Sequence, residues 1–258
     1  MLRDLLSPRA FAAHAVVLGV AGVCVALGQW QLARLAEVRT ENARLEARLG
    51  EPTLELDSLV SQPELDADAL EFRRVVARGD YRSHEEVLQR NREHDGLTGF
   101  HVLTPLELAG GKVVLVRRGW VPRTHAEPPV AEAAPPQGEV VLEGVLERSV
   151  DQPRFGATDP DEGVLVRVFH PDTARLDRQV EGELIGMVLR LTAQEPAQDT
   201  ALPLPLGAPV LDEANHLSYA VQWHVFAALA LGTYAAWLWS RRRSVVHREA
   251  CTKARVRA

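Results

Sequence analysis

The 258-residue chain is 46% hydrophobic and 25% charged, with a formal net charge of −6. Such averages fit an ordinary globular protein of one or two domains, but the distribution is uneven. Gln31–Ser218 holds 20 Lys+Arg against 33 Asp+Glu, whereas the two ends together hold 9 against 2. A strongly acidic middle lacks the clustered bases that phosphate backbones require, which excludes a nucleic-acid partner.

A short N-terminus, 1–9, precedes a stretch without charge from Ala10 to Leu27. This approaches the roughly 20 apolar residues needed to cross a bilayer, and it predicts a transmembrane helix over 10–30. The basic start also fits a cleaved signal peptide. However, the run is long for a signal and continues into Gly28-Gln29-Trp30-Gln31, so a retained anchor is expected. Val23 before Cys24 argues against a lipoprotein cysteine, leaving Cys24 as a thiol in the span. Over 31–50, Leu32, Leu35, Val38, Leu45 and Leu49 recur at near-helical spacing. They predict a juxtamembrane helix stopped by Gly50-Glu51-Pro52. It reads either as a solvated stalk or as a helix that binds a partner.

From Glu71 the pattern changes to short β-like runs at Phe72–Tyr81, Lys112–Val121, Glu139–Leu146, Gly163–Phe169 and Leu184–Leu191. Turn sequences such as Asp95-Gly96 and Gly110-Gly111 separate them. A short helix is expected within Pro171–Val180. The domain at 51–214 therefore reads as mostly antiparallel β, a small barrel or sandwich. A second charge-free stretch, Leu217–Trp239, predicts another transmembrane helix over 215–240. A basic tail follows at 241–258. Arg241-Arg242-Arg243, with no Lys or Arg between Arg190 and Arg241, puts the C-terminus in the cytoplasm by the positive-inside rule. Two spans bring the N-terminus to the same side and leave the acidic middle extracytoplasmic. The expected class is thus membrane-anchored α+β, with two transmembrane helices flanking a mostly antiparallel β domain in the cell membrane. Both cysteines, Cys24 and Cys251, lie outside that domain, so it is held by packing without a disulfide.

Enzyme signatures are absent. There is no glycine-rich phosphate loop, no Gly-x-Ser-x-Gly and no His-Glu-x-x-His, and the chain is read as a non-enzyme. His84, His94, His101, His125 and His170 show no ligand spacing. His14 and His224 lie inside the apolar stretches, where an ionisable residue is costly without a partner. At about 1.5 Å per residue they sit roughly 20 Å and 10 Å below the outer ends of their spans. His216, at the outer mouth of the second stretch, follows an i, i+3, i+7 pattern with Tyr219 and Trp223, which puts the three on one helix face. An imidazole beside two flat rings suits a flat apolar ligand with a metal centre. Spacing alone favours the alternative, an aromatic belt with a histidine reaching toward headgroups.

Gly28-Gln29-Trp30-Gln31, Val116-Arg117-Arg118-Gly119-Trp120-Val121-Pro122 and Asn215-His216-Leu217-Ser218-Tyr219-Ala220-Val221-Gln222-Trp223 together resemble the Surfeit locus protein 1 family. Weaker matches fall between them in the family's order, at Phe72-Arg73-Arg74-Val75, Gly99-Phe100 and Gly138-Glu139. The resemblance implies an assembly factor for haem–copper cytochrome c oxidase that binds haem a. Its implied partners are the catalytic subunit, haem a synthase and the lipid bilayer. It implies His216 as the iron ligand, with Tyr219 and Trp223 beside the macrocycle. Two departures stand out: the spacing from Asn215 to His216 is one residue short, and Arg117 occupies the place of the family's usual Asn. The competing expectation is a haem-free scaffold that docks on the oxidase subunit, with Arg118-Gly119-Trp120 either at its docking surface or at a structural strand end.

Overall fold

The computed structural model describes residues 7–61, 66–209, 212–213 and 215–256, apart from the side chains of Arg9, Arg242 and residues 244–256. Arg3 and the side chain of Cys251 lie outside the described residues. The chain divides into a helical unit, built from the N-terminal residues to Ala43 and from Asp212 onward, and a β-rich unit, Arg44–Leu211.

Helix α1 (Pro8–Gly50) is continuous over 43 residues. Proline at its first position is preset for a helical φ, and no breaker follows until Gly50-Glu51-Pro52. Among the described residues, Ala10–Gly50 is one helix long and apolar enough to cross a membrane, and 11% of its most apolar window is buried within the chain. Its large side chains, among them Phe11, Val16, Leu18 and Val23, are exposed, as an anchor surrounded by lipid requires. A second transmembrane helix is not shown. The sequence after Asn215 does form a long helix (α5 in chain order, His216–Val256). Its charge-free stretch is diluted by Ser218, Gln222, His224, Thr233 and Tyr234. Ala220 and Ala227 are buried on it, while Leu217, Val221, Val225 and Leu229 are exposed.

In the β-rich unit, short elements β1 (Leu54–Glu55), α2 (Leu56–Val60) and α3 (Ala67–Leu70) lead into β2 (Arg74–Tyr81). Then follow β3 (Val87–His94), β4 (Leu97–Leu108), β5 (Lys112–Pro122), β6 (Glu139–Arg148), β7 (Arg167–Val168), α4 (Thr173–Leu176) and β8 (Glu183–Glu195). The sheet runs β1-β2-β6-β8-β5-β4-β3-β7, and β2 also pairs with β4. That extra pairing closes a five-stranded ring, β2-β6-β8-β5-β4, in which only β5 and β8 run parallel. The small barrel is therefore mixed rather than purely antiparallel, and closure hides the edges an open sheet would expose. Gly79 stands where β2 crosses onto β4; a Cβ there would run into the Glu107 carbonyl.

Side-chain alternation fills the barrel. Val75 and Ala77, Val114 and Val116, Val140 and Leu142, and Ile185, Met187 and Leu189 point inward at a period of two. Leu56, Val60 and Leu70 pack with them. Val113 and Leu115, on the other face of β5, are buried against Leu165, Leu176 and Val180. Burial on both faces explains why β5 reads as an unbroken apolar run. The β3–β4 hairpin turns at Asp95-Gly96, both at positive φ (49° and 77°), the primed geometry that matches strand twist. Of the run Gly163–Phe169, only Arg167–Val168 is strand.

Candidate functional site

His216 opens α5, and the Asn215 carbonyl accepts from Tyr219 N. The His216 ring meets Gln31 of α1, with Nδ1 2.8 Å from Oε1. An amide oxygen only accepts, so Nδ1 carries the proton and Nε2 of the neutral ring keeps its lone pair. Nε2 has no hydrogen-bond partner among the described residues. His224 uses both nitrogens. Nδ1 donates to the Ala220 carbonyl at 2.7 Å, and Nε2 accepts from the Gln29 amide at 3.4 Å. Gly28 makes room for this ring, because a Cβ there would lie 2.5 Å from His224 Nδ1. Gln29 and Gln31, flanking Trp30, thus engage the two histidines separately. Farther along the pair, the Tyr234 hydroxyl lies 2.6 Å from His14 Nδ1. At the opposite end Arg39 holds Glu213 through two 3.0 Å bonds.

At about 100° per residue, Tyr219, Trp223 and His216 fall within an arc of about 60°. Ala220, 1% exposed, borders that arc. Tyr219 is half exposed, and Trp223 is half-buried with its ring edge-on to Phe226 at 5.9 Å. An apolar groove of about 350 Å³, lined by Leu32, Ala220, Val221, His224, Val225 and Ala228, opens on a different face of the helix from His216, Tyr219 and Trp223. His216 and His224 are eight residues apart, about 12 Å along the axis, so one iron cannot take both.

The β-rich unit places Arg118-Gly119-Trp120 inside its architecture. Arg118 and Glu86 form an ion pair at 3.4 Å with side chains 0% and 1% exposed. Arg118 also donates to Gln198 Oε1 at 2.7 Å and lies over the Tyr81 ring. Glu86 accepts from Thr104 Oγ1 and from Val130 N. Burial pushes the Glu86 carboxyl up and the Tyr81 hydroxyl above its ordinary range. Trp120 pairs its backbone with Leu204 and donates Nε1–H to the Arg92 carbonyl at 3.0 Å. Among the domain histidines, His101 lies on β4 beside three arginines. Burial first, then Arg117, Arg92 and Arg190, lower its pKa from 6.5 to about 3. His94 stacks on Trp120. Among the described residues, no group of three or more His, Cys, Asp or Glu could hold a metal ion.

The family model described as the SURF1 family matches residues 18–228, from α1 through the barrel to the first turns of α5. The chain belongs to the SURF1 family. An uncharacterized SURF1-like protein of Mycobacterium bovis is 33% identical over 250 residues, covering 94% of this chain and 89% of its own. A SURF1-like protein of Monosiga brevicollis is 29% identical, covering 88% and 87%. One of Caenorhabditis briggsae is 26% identical, covering 88% and 75%. The SURF1 match spans both Gln29-Trp30-Gln31 and His216–Trp223, the segments that meet in the helical unit. Spacing alone singled out His216, Tyr219 and Trp223 but missed Gln29 and Gln31. The signal for them was two amides flanking a tryptophan at the end of an apolar run, where amides need partners.

Proposed function

We propose that this SURF1 family protein is a membrane-anchored assembly factor for cytochrome c oxidase that binds haem a at His216 and assists its insertion into the catalytic subunit. The observation that carries the reading is the His216–Gln31 pair. A metal-ligating histidine is usually oriented by a hydrogen bond from its other nitrogen to a carbonyl or carboxylate; Gln31 supplies that acceptor and leaves Nε2 free. The donor set fits a haem, whose macrocycle supplies four nitrogens itself, so one protein ligand suffices where no multi-residue metal cluster exists among the described residues. When bound, the haem supplies iron to be ligated and an apolar face to be covered. Tyr219 and Trp223 would cover that face. Family membership supports the oxidase partner, and haem a synthase is the natural source of the cargo.

The same reading takes α5 as a second span. Its charge-free stretch and Arg241-Arg242-Arg243 support a two-span topology with both termini cytoplasmic and the acidic domain outside. No turnover is part of the proposal; the protein holds and passes a cofactor. Co-expression with a haem a pathway, purification and an absorption spectrum test it. The wild type is expected to carry haem a and His216→Ala to lose it; equal haem in both removes His216 as ligand.

One observation favours a haem-free scaffold instead: the His216–Gln31 bond by itself ties α5 to α1. On that reading His216→Ala loosens the helix pair, and neither form carries haem. Substitutions at Arg118–Trp120 do not separate the two readings, because those side chains hold the barrel.

A further inference from the structure

A second concave site lies wholly within the β-rich unit. A cavity of about 420 Å³ is walled by Arg90, Arg123 and Arg167 together with Phe100, Phe169 and Thr98. Four segments converge on it: the bulge of β3, the start of β4, the chain just after β5, and β7. The bulge between Gln89 and Arg92 is where Asn91 adopts φ 57°. Bulges of this kind re-aim a side chain.

None of the three guanidinium groups has a hydrogen-bond or ion-pair partner among the described residues. Arg90 contacts only a π face, lying 4.9 Å from the Phe169 centroid. The Nε atoms of Arg90 and Arg167 are buried without a hydrogen-bond partner, as are those of Arg73, Arg92, Arg117 and Arg118. Elsewhere in the unit Arg73, Arg78, Arg117 and Arg148 each meet a carboxylate. In a segment with 33 acids and 20 bases, three unpaired arginines around one cavity stand against the prevailing charge. Guanidinium nitrogens without a protein partner can take charge-assisted bonds to an anion held in the cavity.

We propose that this pocket binds a small phosphate-type oxyanion bearing an apolar or aromatic substituent. Guanidinium forks match phosphate oxygens in geometry as well as charge, and the Phe100 and Phe169 walls would receive the substituent. The volume lies in the range of small-ligand sites. The phosphate can come from a soluble ester or from a lipid headgroup, and the chemistry at the arginines is the same.

The test uses the full chain in a phosphate-free maltoside detergent, with phenyl phosphate as the probe and calorimetry as the readout. Binding is expected at a Kd of about 1 mM or tighter. Arg90→Gln and Arg167→Gln are each expected to weaken it by about tenfold, the loss of a charge-assisted bond. Arg78→Gln, which removes an exposed partner of Glu55, leaves it unchanged. If either pocket variant fails to fold, the wild-type arginine Nε–H resonances decide: those of Arg90 and Arg167 shift with phenyl phosphate. Repeating the titration in nanodiscs assigns the source. Suppression by phosphatidylglycerol identifies a lipid headgroup, and undiminished binding identifies a soluble ester. No binding in detergent, or equal binding by both pocket variants, overturns the proposal.

Discussion

His216 and His224 sit on the same helix, both against α1, and differ in what is left over. His224 spends both nitrogens on Ala220 and Gln29; His216 spends one on Gln31. In Gln31→Ala the proposed iron ligand, His216, remains but its orienting acceptor is gone. Haem affinity is then expected to fall by about 10- to 100-fold, the usual effect of removing such a partner. Titration of the purified variant measures this, and unchanged affinity would remove Gln31 from the site. Gly28 makes a purely steric prediction. Valine there meets the His224 ring and should destabilise the helix pairing by about 1–3 kcal/mol, read as a lower thermal midpoint of the helical signal. The sequence made His216, Tyr219 and Trp223 visible through periodicity. Gln31 was invisible to periodicity, because its partner is 185 residues away and only folding brings the two together.

Among the elements, β5 was the most legible strand and β3 the least. Four consecutive apolar residues, Val113–Val116, reflect burial on both faces. By contrast Arg90-Asn91-Arg92-Glu93-His94 looks like loop, since its alternation is broken by the bulge and its first two residues, Arg90 and Asn91, line a pocket. The turn Asp95-Gly96 was readable, yet the strands it joins were not. β5 also carries Arg118, whose pairing with Glu86 inside the barrel makes a sharp prediction. Arg118→Ala leaves a buried carboxylate without its cation and is expected to cost about 3–5 kcal/mol. Arg118→Met combined with Glu86→Gln should cost less, because neither charge remains. Denaturant unfolding of the three proteins checks the order.

His101 on β4 adds a pH dependence. Its folded pKa is lowered from 6.5 to about 3, so between those values the unfolded chain binds a proton that the folded one refuses. Stability therefore falls as pH drops from about 6.5 toward 3. The thermal midpoint of His101→Gln should fall less steeply over that window than the wild type's, and parallel curves would contradict the assignment.

For the molecule as a whole, the opposing charge of ends and middle was the informative sequence feature. It set an apolar N-terminal run and a basic tail apart from an acidic middle, while the β-rich unit begins at Arg44, inside the helix expected over 31–50. Barrel closure was beyond its reach: it depends on one short pairing, Gly79–Tyr81 with Leu106–Leu108, that no local pattern announces. The proposed two-span topology predicts that a reporter fused after Ala258 is active only as a cytoplasmic reporter.

The central claim, that His216 ligates haem a, is tested most directly by the haem content of protein purified from cells making haem a. The comparison is wild type, His216→Ala and His224→Ala, with haem measured per chain. Ligation by His216 predicts haem in the wild type and in His224→Ala, and its loss in His216→Ala. Haem retained by His216→Ala, or absent from all three, would contradict it.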